Sequence, residues 1–409
     1  MSDRVIIVGA GHAAGQAIAT LKQKKFAGDI IVVGEEPYLP YQRPPLSKKY
    51  LAGEMTPERL YIKPPGFYDD PNIDMHLNTR IQAIDRKGHR VRTAAGDVIV
   101  YDQLILATGS RARRLPVDGD DLAGIHYLRG IDDVNSLREE IEHAKRIVIV
   151  GAGYIGLEVA AVTRQFGLDV TVLEMADHVM SRVVSPQVSV FYEAEHAAHG
   201  VHLMLSTGLA AFRGNGRVHT VETTDGQTIP ADIVIVGVGV LPNTELAFAA
   251  GLDTDNGIVV DDRCRTSDPE IFAIGDCTSH PNCIYDRCVR LESVHNALEQ
   301  GKTAAANIAG GDVRYAQVPW FWSDQYDLKL QIAGLSGGYD QALLRGNPDD
   351  RSFACLYLRN GRLIAVDGIN SPRDFMQSKA LIANHAELDP EKLADTGIAL
   401  KDVASGTHR

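Results

Sequence analysis

A four-residue apolar run ending in a spaced glycine turn occurs twice in this chain of 409 residues. Val5-Ile6-Ile7-Val8 leads into Gly9-Ala10-Gly11-His12-Ala13-Ala14-Gly15, and Ile147-Val148-Ile149-Val150 leads into Gly151-Ala152-Gly153-Tyr154-Ile155-Gly156. Continuous aliphatic runs suit strands buried on both faces, so each predicts a central parallel strand feeding a helix, over 13–25 and 155–166. In such a turn the first glycine permits the bend and the second lets a pyrophosphate approach the backbone. The third small residue, Ala14 or Gly156, lets helix and strand pack closely. Phosphate is then met by free N–H groups at the positive end of the helix, where Ala13, Tyr154 and Ile155 lie.

A lone glycine triplet would also serve as a turn in an unrelated βα unit. The residues after each helix argue against that. A second apolar run ends in an acid both times: Ile30–Val33 and Gly34 precede Glu35, and Val170–Leu173 precede Glu174. Each acid lies about twenty residues beyond the middle glycine, where a carboxylate can bind ribose hydroxyls. Met175, Ala176 and Asp177 supply no cation for a 2′-phosphate, so the second site is expected to prefer NADH to NADPH. Two such units in one chain predict two dinucleotides brought together for electron exchange.

The formal charge of −12 argues against nucleic acid or an anionic membrane as a partner. No stretch approaches the 18 or so apolar residues of a membrane span, and no signal-peptide pattern comes after the first strand. The expectation is a cytoplasmic protein, monomeric or weakly dimeric. Five cysteines, Cys264, Cys277, Cys283, Cys288 and Cys355, do not form a secretory disulfide framework or a ferredoxin-type ligand set. Cys283 and Cys288 are read as unpaired surface or structural thiols, with a redox pair as the alternative. No metal site is expected.

Strand character appears over 80–92 and 97–106, the latter running into Ala107-Thr108-Gly109. A helix is expected over 132–144. The run Ile233–Val236 ends in Gly237, mirroring the Ala-Thr-Gly strand end and placing Gly237 at the second nucleotide site. Residues 257–276 finish in Gly275-Asp276, and 292–309 reads as a helix. From Pro319 the texture changes, with strands expected over 328–334, 353–359 and 363–367, and a polar, frayed tail after Asp402. The fold class is therefore α/β, with two Rossmann-like dinucleotide-binding domains and a small C-terminal α+β domain. The expected boundaries are 1–110 with 241–318, then 111–240, then 319–409.

Taken together, the first fingerprint, Arg43-Pro44-Pro45-Leu46-Ser47-Lys48, Ala107-Thr108-Gly109, the second fingerprint with Glu158, Gly275-Asp276 and Trp320-Phe321-Trp322-Ser323-Asp324-Gln325 resemble one family over essentially the whole chain. It is the NADH-dependent, FAD-containing ferredoxin reductases of oxygenase systems, within the glutathione-reductase-like group. The resemblance implies FAD at the first fingerprint, with Glu35 on its ribose. It implies further FAD contacts from Arg43, Lys48, Ile81, Arg129, Asp276 and Val294. NADH falls to the second fingerprint, Glu174 and Arg182. It also implies that Glu158 pairs with Lys48 near the nicotinamide, and that Trp322 lies between flavin and electron acceptor.

By the same resemblance the acceptor is a 2Fe–2S ferredoxin, feeding a cytochrome P-450 or Rieske-type oxygenase. Relatives that reduce disulfides or peroxides carry a reactive cysteine in the segment corresponding to 38–51, which here has none. Arg290 and Lys302, with Arg314 less favoured, are the basic residues expected to meet an acidic partner. Two alternatives stay open. One is an NADH-dependent quinone or monodehydroascorbate reductase; the other is a redox-gated binding protein resembling apoptosis-inducing factor.

Overall fold

The computed structural model describes residues 3–403, apart from the side chains of residues 390 and 391. The tail expected to fray after Asp402 lies, beyond Val403, outside the described residues. The chain forms two compact units: Met1–Gln42 with Pro57–Arg111 and Leu241–Pro319, and Arg43–Thr56 with Ala112–Val240 and Trp320–Arg409.

In the first unit a five-stranded parallel sheet runs in the order Ile271–Ala273, Gln103–Leu106, Arg4–Val8, Asp29–Val33, Ile73–His76. Its centre is the strand that carries the first glycine turn. Ala14, Ala17, Ile18 and Leu21 form a stripe at helical spacing on His12–Gln23, and all are buried. Complete burial of Ile18 and Leu21 stabilises by about 1.5–3 kcal/mol each. The helix Val294–Ile308 packs against this one through Gly301, where a Cβ would stand 2.7 Å from the Ala13 carbonyl oxygen.

The region read as two strands over 80–106 is four. Ile81–Asp85, Arg90–Thr93 and Val98–Val100 form a small antiparallel sheet, and only Gln103–Leu106 joins the parallel sheet. Left-handed residues cause the breaks: His89 at φ 48° and Gly96 at φ 99° close the two hairpins.

The second unit has its own five-stranded parallel sheet, in the order His202–Met204, Asp169–Leu173, Arg146–Val150, Ile233–Val236, Ile125–His126. The fingerprint strand is again central, and the helix Tyr154–Gln165 comes next. Residues from Trp320 build a five-stranded antiparallel sheet, ordered Trp320–Gln325, Leu328–Gly334, Arg362–Ile369, Ser352–Arg359, Gln341–Asn347. The sequence pattern does not predict the strand Gln341–Asn347, whose few apolar residues do not alternate. The helix Pro372–Ala383 buries Phe375 against this sheet.

Residues 112–240 and 320–409, expected as two domains, fall in one compact unit. The segment Arg43–Thr56, expected in the first domain, groups with the second unit. Its hydrogen bonds explain this: Arg43 Nη1 donates to the Arg129 carbonyl (2.7 Å), Tyr50 Oη donates to Asn135 Oδ1 (2.8 Å), and Ser47 and Lys48 engage Glu158.

Candidate active site

The two glycine turns are built alike. Gly9 and Gly151 adopt φ 112° and 102°, and a Cβ would lie 2.1 Å from the Ala107 oxygen and 2.5 Å from the Gly237 oxygen, respectively. These positions accept only glycine, because the neighbouring strand end passes over them. Gly11 and Gly153 are different: a Cβ on either would meet no protein atom within 4 Å. Each middle glycine therefore borders open space at a helix N-terminus that no side chain caps. That arrangement of bare backbone and helix-end N–H groups fits a pyrophosphate, so both cradles fit a dinucleotide.

The acids beyond the cradles differ. Glu174 accepts from the Ala152 N–H (2.8 Å) and the Ala176 N–H (2.9 Å), which fixes its carboxylate beside the second turn. Glu35 is exposed and pairs with Arg80 at 3.2 Å. Met175 and Arg182 are exposed.

In the first unit, Asp276 Oδ2 accepts from Ser110 Oγ (3.0 Å). Gln300, fully buried, ties the turn carrying Asp276 to its helix, accepting from the Gly275 N–H (2.7 Å) and Thr278 Oγ1 (3.0 Å). Ser110 and Gln300 belong to no motif, and nothing in the sequence marks them. Val294 opens the helix capped by Ser293 Oγ, which accepts from the Asn296 N–H (3.1 Å). The Ile81 side chain is spent in the core with Ile6 and Val8, leaving its backbone as the part available to a ligand.

In the second unit four side chains converge. Lys48 Nζ lies 2.7 Å from Glu158 Oε2, Ser47 Oγ donates to the same oxygen at 2.5 Å, and Ser323 Oγ donates to Oε1 at 2.6 Å. Glu158 is only 3% exposed and Lys48 15%. Burial pushes the Glu158 carboxyl above its ordinary value, while the Lys48 ammonium and the two hydroxyls pull it back. Lys48 and Glu158 are legible through the family resemblance; Ser47 and Ser323 carry no signal of their own in the sequence.

The strand Trp320–Gln325 reaches this centre with one face only. Phe321 packs at a tilt against Tyr154 (centroids 4.7 Å apart, 36° between planes), and Ser323 meets Glu158. Alternation turns Trp320 and Trp322 the other way, with ring centroids 5.4 Å apart. Phe375 lies edge-on to Trp320, and Lys379 Nζ stands 5.4 Å from its ring centre.

The expected docking cations are already engaged within the first unit. Lys302 pairs with Glu299 (2.6 Å), Arg290 with Glu292, and Arg314 with Asp262 (3.2 Å). All five cysteines are unbonded; Cys283 and Cys288 are exposed and the other three buried. Among the described residues no group of three or more His, Cys, Asp or Glu side chains is arranged to hold a metal ion. Among the same residues no helix is long and apolar enough to cross a membrane.

Known proteins share this design. The chain belongs to the pyridine nucleotide-disulphide oxidoreductase family, whose profile matches residues 3–301. Residues 320–404 match a second profile, described as reductase C-terminal. Among its relatives, rhodocoxin reductase of Rhodococcus erythropolis is 45% identical over 406 residues, covering 99% of this chain and 95% of that protein. Putidaredoxin reductase of Pseudomonas putida is 42% identical over 408 residues, covering 98% and 97%. The fold matches a chain in the crystal structure of the covalent putidaredoxin reductase–putidaredoxin complex, with a TM-score of 0.95, 42% identity and 98% of both chains covered.

Proposed function

We propose that this protein is an FAD-containing reductase that draws electrons from NADH and passes them to a 2Fe–2S ferredoxin serving an oxygenase. The observation that carries the reading is the pair of open glycine cradles on a chain with no cysteine in the segment 38–51. Nucleotides can enter twice, yet the thiol that would reduce a disulfide or peroxide is missing. Its resemblance to rhodocoxin and putidaredoxin reductases supports a small iron–sulfur protein as acceptor.

FAD and the pyridine nucleotide, when bound, supply two-electron uptake and one-electron release. The chain's own part is to bind, orient and exclude water. Gly9, Gly11, Ala13, Ala14 and Gly15 cradle the FAD pyrophosphate, with Glu35, Asp276, Val294 and the Ile81 backbone along the rest of the molecule. Gly151, Gly153, Tyr154, Ile155, Gly156 and Gly237 form the NADH cradle, and Glu174 receives its ribose; Arg182 serves its phosphates. Arg43, Lys48 and Arg129 are assigned to cofactor binding, and Trp322 to the electron outlet, on resemblance. On the same resemblance, the ammonium of Lys48, paired with Glu158 and largely shielded from water, would supply positive charge to stabilise a reduced cofactor. Domains bounded at 1–110 with 241–318, at 111–240 and at 319–409 remain our division by role, with Arg43–Thr56 lent to the second. Cytoplasmic placement is part of the same reading, supported by five unbonded thiols.

Cytochrome c reduction by the FAD-loaded protein and NADH, with and without added 2Fe–2S ferredoxin, tests this. Rates that rise steeply with ferredoxin are expected. Equal rates without it, or full activity with a quinone alone, would overturn the reading in favour of a small-molecule reductase.

A further inference from the structure

Glu158 stands at the inner end of a chain of hydrogen bonds that crosses the second unit. Ser323 Oγ donates to Glu158 Oε1 at 2.6 Å. The same Ser323 Oγ accepts from Gln325 Nε2 at 3.3 Å. Gln325 Oε1 contacts His196 Nε2 at 2.8 Å, and His196 Nδ1 contacts Tyr326 Oη at 3.1 Å. Ser323, Gln325 and His196 are at most 1% exposed.

Chemistry fixes the direction of every link. A carboxylate only accepts, so Ser323 spends its hydrogen on Glu158 and must accept from the Gln325 amide. The Gln325 oxygen carries no hydrogen, so His196 Nε2 is the donor. In the neutral ring Nδ1 then accepts from the tyrosine hydroxyl. Burial holds His196 neutral, pushing it down to about 4. Four donors thus point the same way, from Tyr326 toward the carboxylate, and bonds aligned in this manner polarise one another.

The outer end has its own distinctive build. Tyr326 sits at φ 55° in the two-residue turn between Trp320–Gln325 and Leu328–Gly334, a left-handed conformation uncommon for an aromatic residue. Its ring stacks on His199 at 3.7 Å. Arg351 clamps the turn by pairing with Asp327 (2.6 Å) and Glu195 (2.9 Å). These residues line an open surface cavity of about 680 Å³.

We propose that Ser323, Gln325, His196 and Tyr326 form a positioning relay that holds the Glu158 side chain ionised and in place beside Lys48. The relay moves no proton: passing one through the Gln325 amide would require an unfavourable tautomer. It supplies a directed dipole that offsets the desolvation of Glu158, which otherwise favours the neutral acid. The charged group facing Glu158 is Lys48, and the Glu158 charge in turn raises Tyr154 on its own helix and Tyr192 on the helix Pro186–Ala198. Glu195 and His199 flank His196. The catalytic consequence rests on the reading of Glu158 as part of the NADH-oxidising centre; the electrostatic role does not.

Infrared titration of the FAD-loaded protein without NADH tests the relay. The carboxylic-acid band of Glu158 is identified by its loss in Glu158→Gln. Its appearance should shift upward by about one pH unit in Ser323→Ala and Gln325→Leu, and by less in Tyr326→Phe. Ser323→Thr, which keeps the hydroxyl, should restore the original midpoint. NADH-driven flavin bleaching should slow about tenfold in Ser323→Ala with little change in KM. Tyr326→Phe, at the rim, reads a smaller shift in the same direction if a core variant misfolds. An unchanged midpoint in every variant that folds overturns the relay. Wild-type bleaching by Glu158→Gln, with the infrared shifts intact, instead removes Glu158 from the reaction and leaves the relay standing.

Discussion

Lys48 Nζ and Glu158 Oε2 meet at 2.7 Å, and the Ser47 hydroxyl, adjacent to Lys48 in the chain, grips the same oxygen. One short segment therefore delivers a cation and a neutral donor to a single buried carboxylate. Its counterpart Ser323 comes from a strand in the C-terminal sheet, so the carboxylate joins three parts of the second unit.

Replacing Glu158 by Gln strands the Lys48 ammonium in a site that is 15% exposed. Loss of one partner from a buried pair destabilises by about 3–5 kcal/mol, and the residual exposure of Lys48 favours the lower end. Urea unfolding followed by circular dichroism should show this. A double variant, Lys48→Met with Glu158→Gln, should recover at least half of the loss. Equal stability of the single variant and wild type would mean that the pair is not held in solution.

Asp367 gives a second, independent handle. Its carboxyl is fully buried and, among the described residues, takes a side-chain hydrogen bond from the Tyr357 hydroxyl rather than from a cation. Burial raises it from 3.8 to about 7, with the Tyr357 hydrogen bond acting in the opposite direction. Because the folded state holds this proton more tightly than the unfolded chain, the stabilising contribution is complete below about pH 4 and is lost as pH rises through 7. The loss is at most about 4 kcal/mol. Asp367→Asn should flatten the decline in urea midpoint between pH 5 and 8; a slope identical to wild type would place the titration elsewhere.

Both glycine turns are legible in the sequence because their logic is local. Strand, turn, helix, strand and acid succeed one another within some thirty residues, and each glycine answers a short-range steric demand. The Lys48–Glu158 pair is reached by resemblance rather than by pattern. Ser47 and Ser323 lie 111 and 165 residues from Glu158, and a lone serine in a strand or turn has no periodicity to betray it. The same holds for Gln300, which reads as one polar residue among several on its helix but holds Gly275 and Thr278. Domain assignment fails at Arg43–Thr56 for a related reason: chain continuity places it with the first unit, whereas its buried polar contacts lie in the second.

Glu174 should set the choice of nucleotide. Its carboxylate is fixed by two backbone N–H groups, and no cation stands at 175–177. On the proposed reading, Glu174→Ala removes both the ribose acceptor and the charge that repels a 2′-phosphate. The ratio of kcat/KM for NADH over NADPH should fall about tenfold or more. A ratio that does not move would take Glu174 out of the ribose site.

Gly153 and Gly151 should respond in opposite ways to an added side chain. At Gly153 the backbone lies in an ordinary extended conformation and a Cβ meets no protein atom within 4 Å, so Gly153→Val should fold with a near-normal melting temperature. The valine would nevertheless fill the open space that our reading gives to a pyrophosphate. KM for NADH should rise about 100-fold while FAD stays bound, since the FAD cradle is a separate turn at Gly11. Gly151→Ala forces a Cβ to 2.5 Å from the Gly237 oxygen at φ 102°, and should lower stability before it touches any ligand. Melting curves with and without NADH, read beside FAD retention, distinguish the two. If Gly153→Val still bound NADH normally, the open space over the second turn would not be where its phosphates sit.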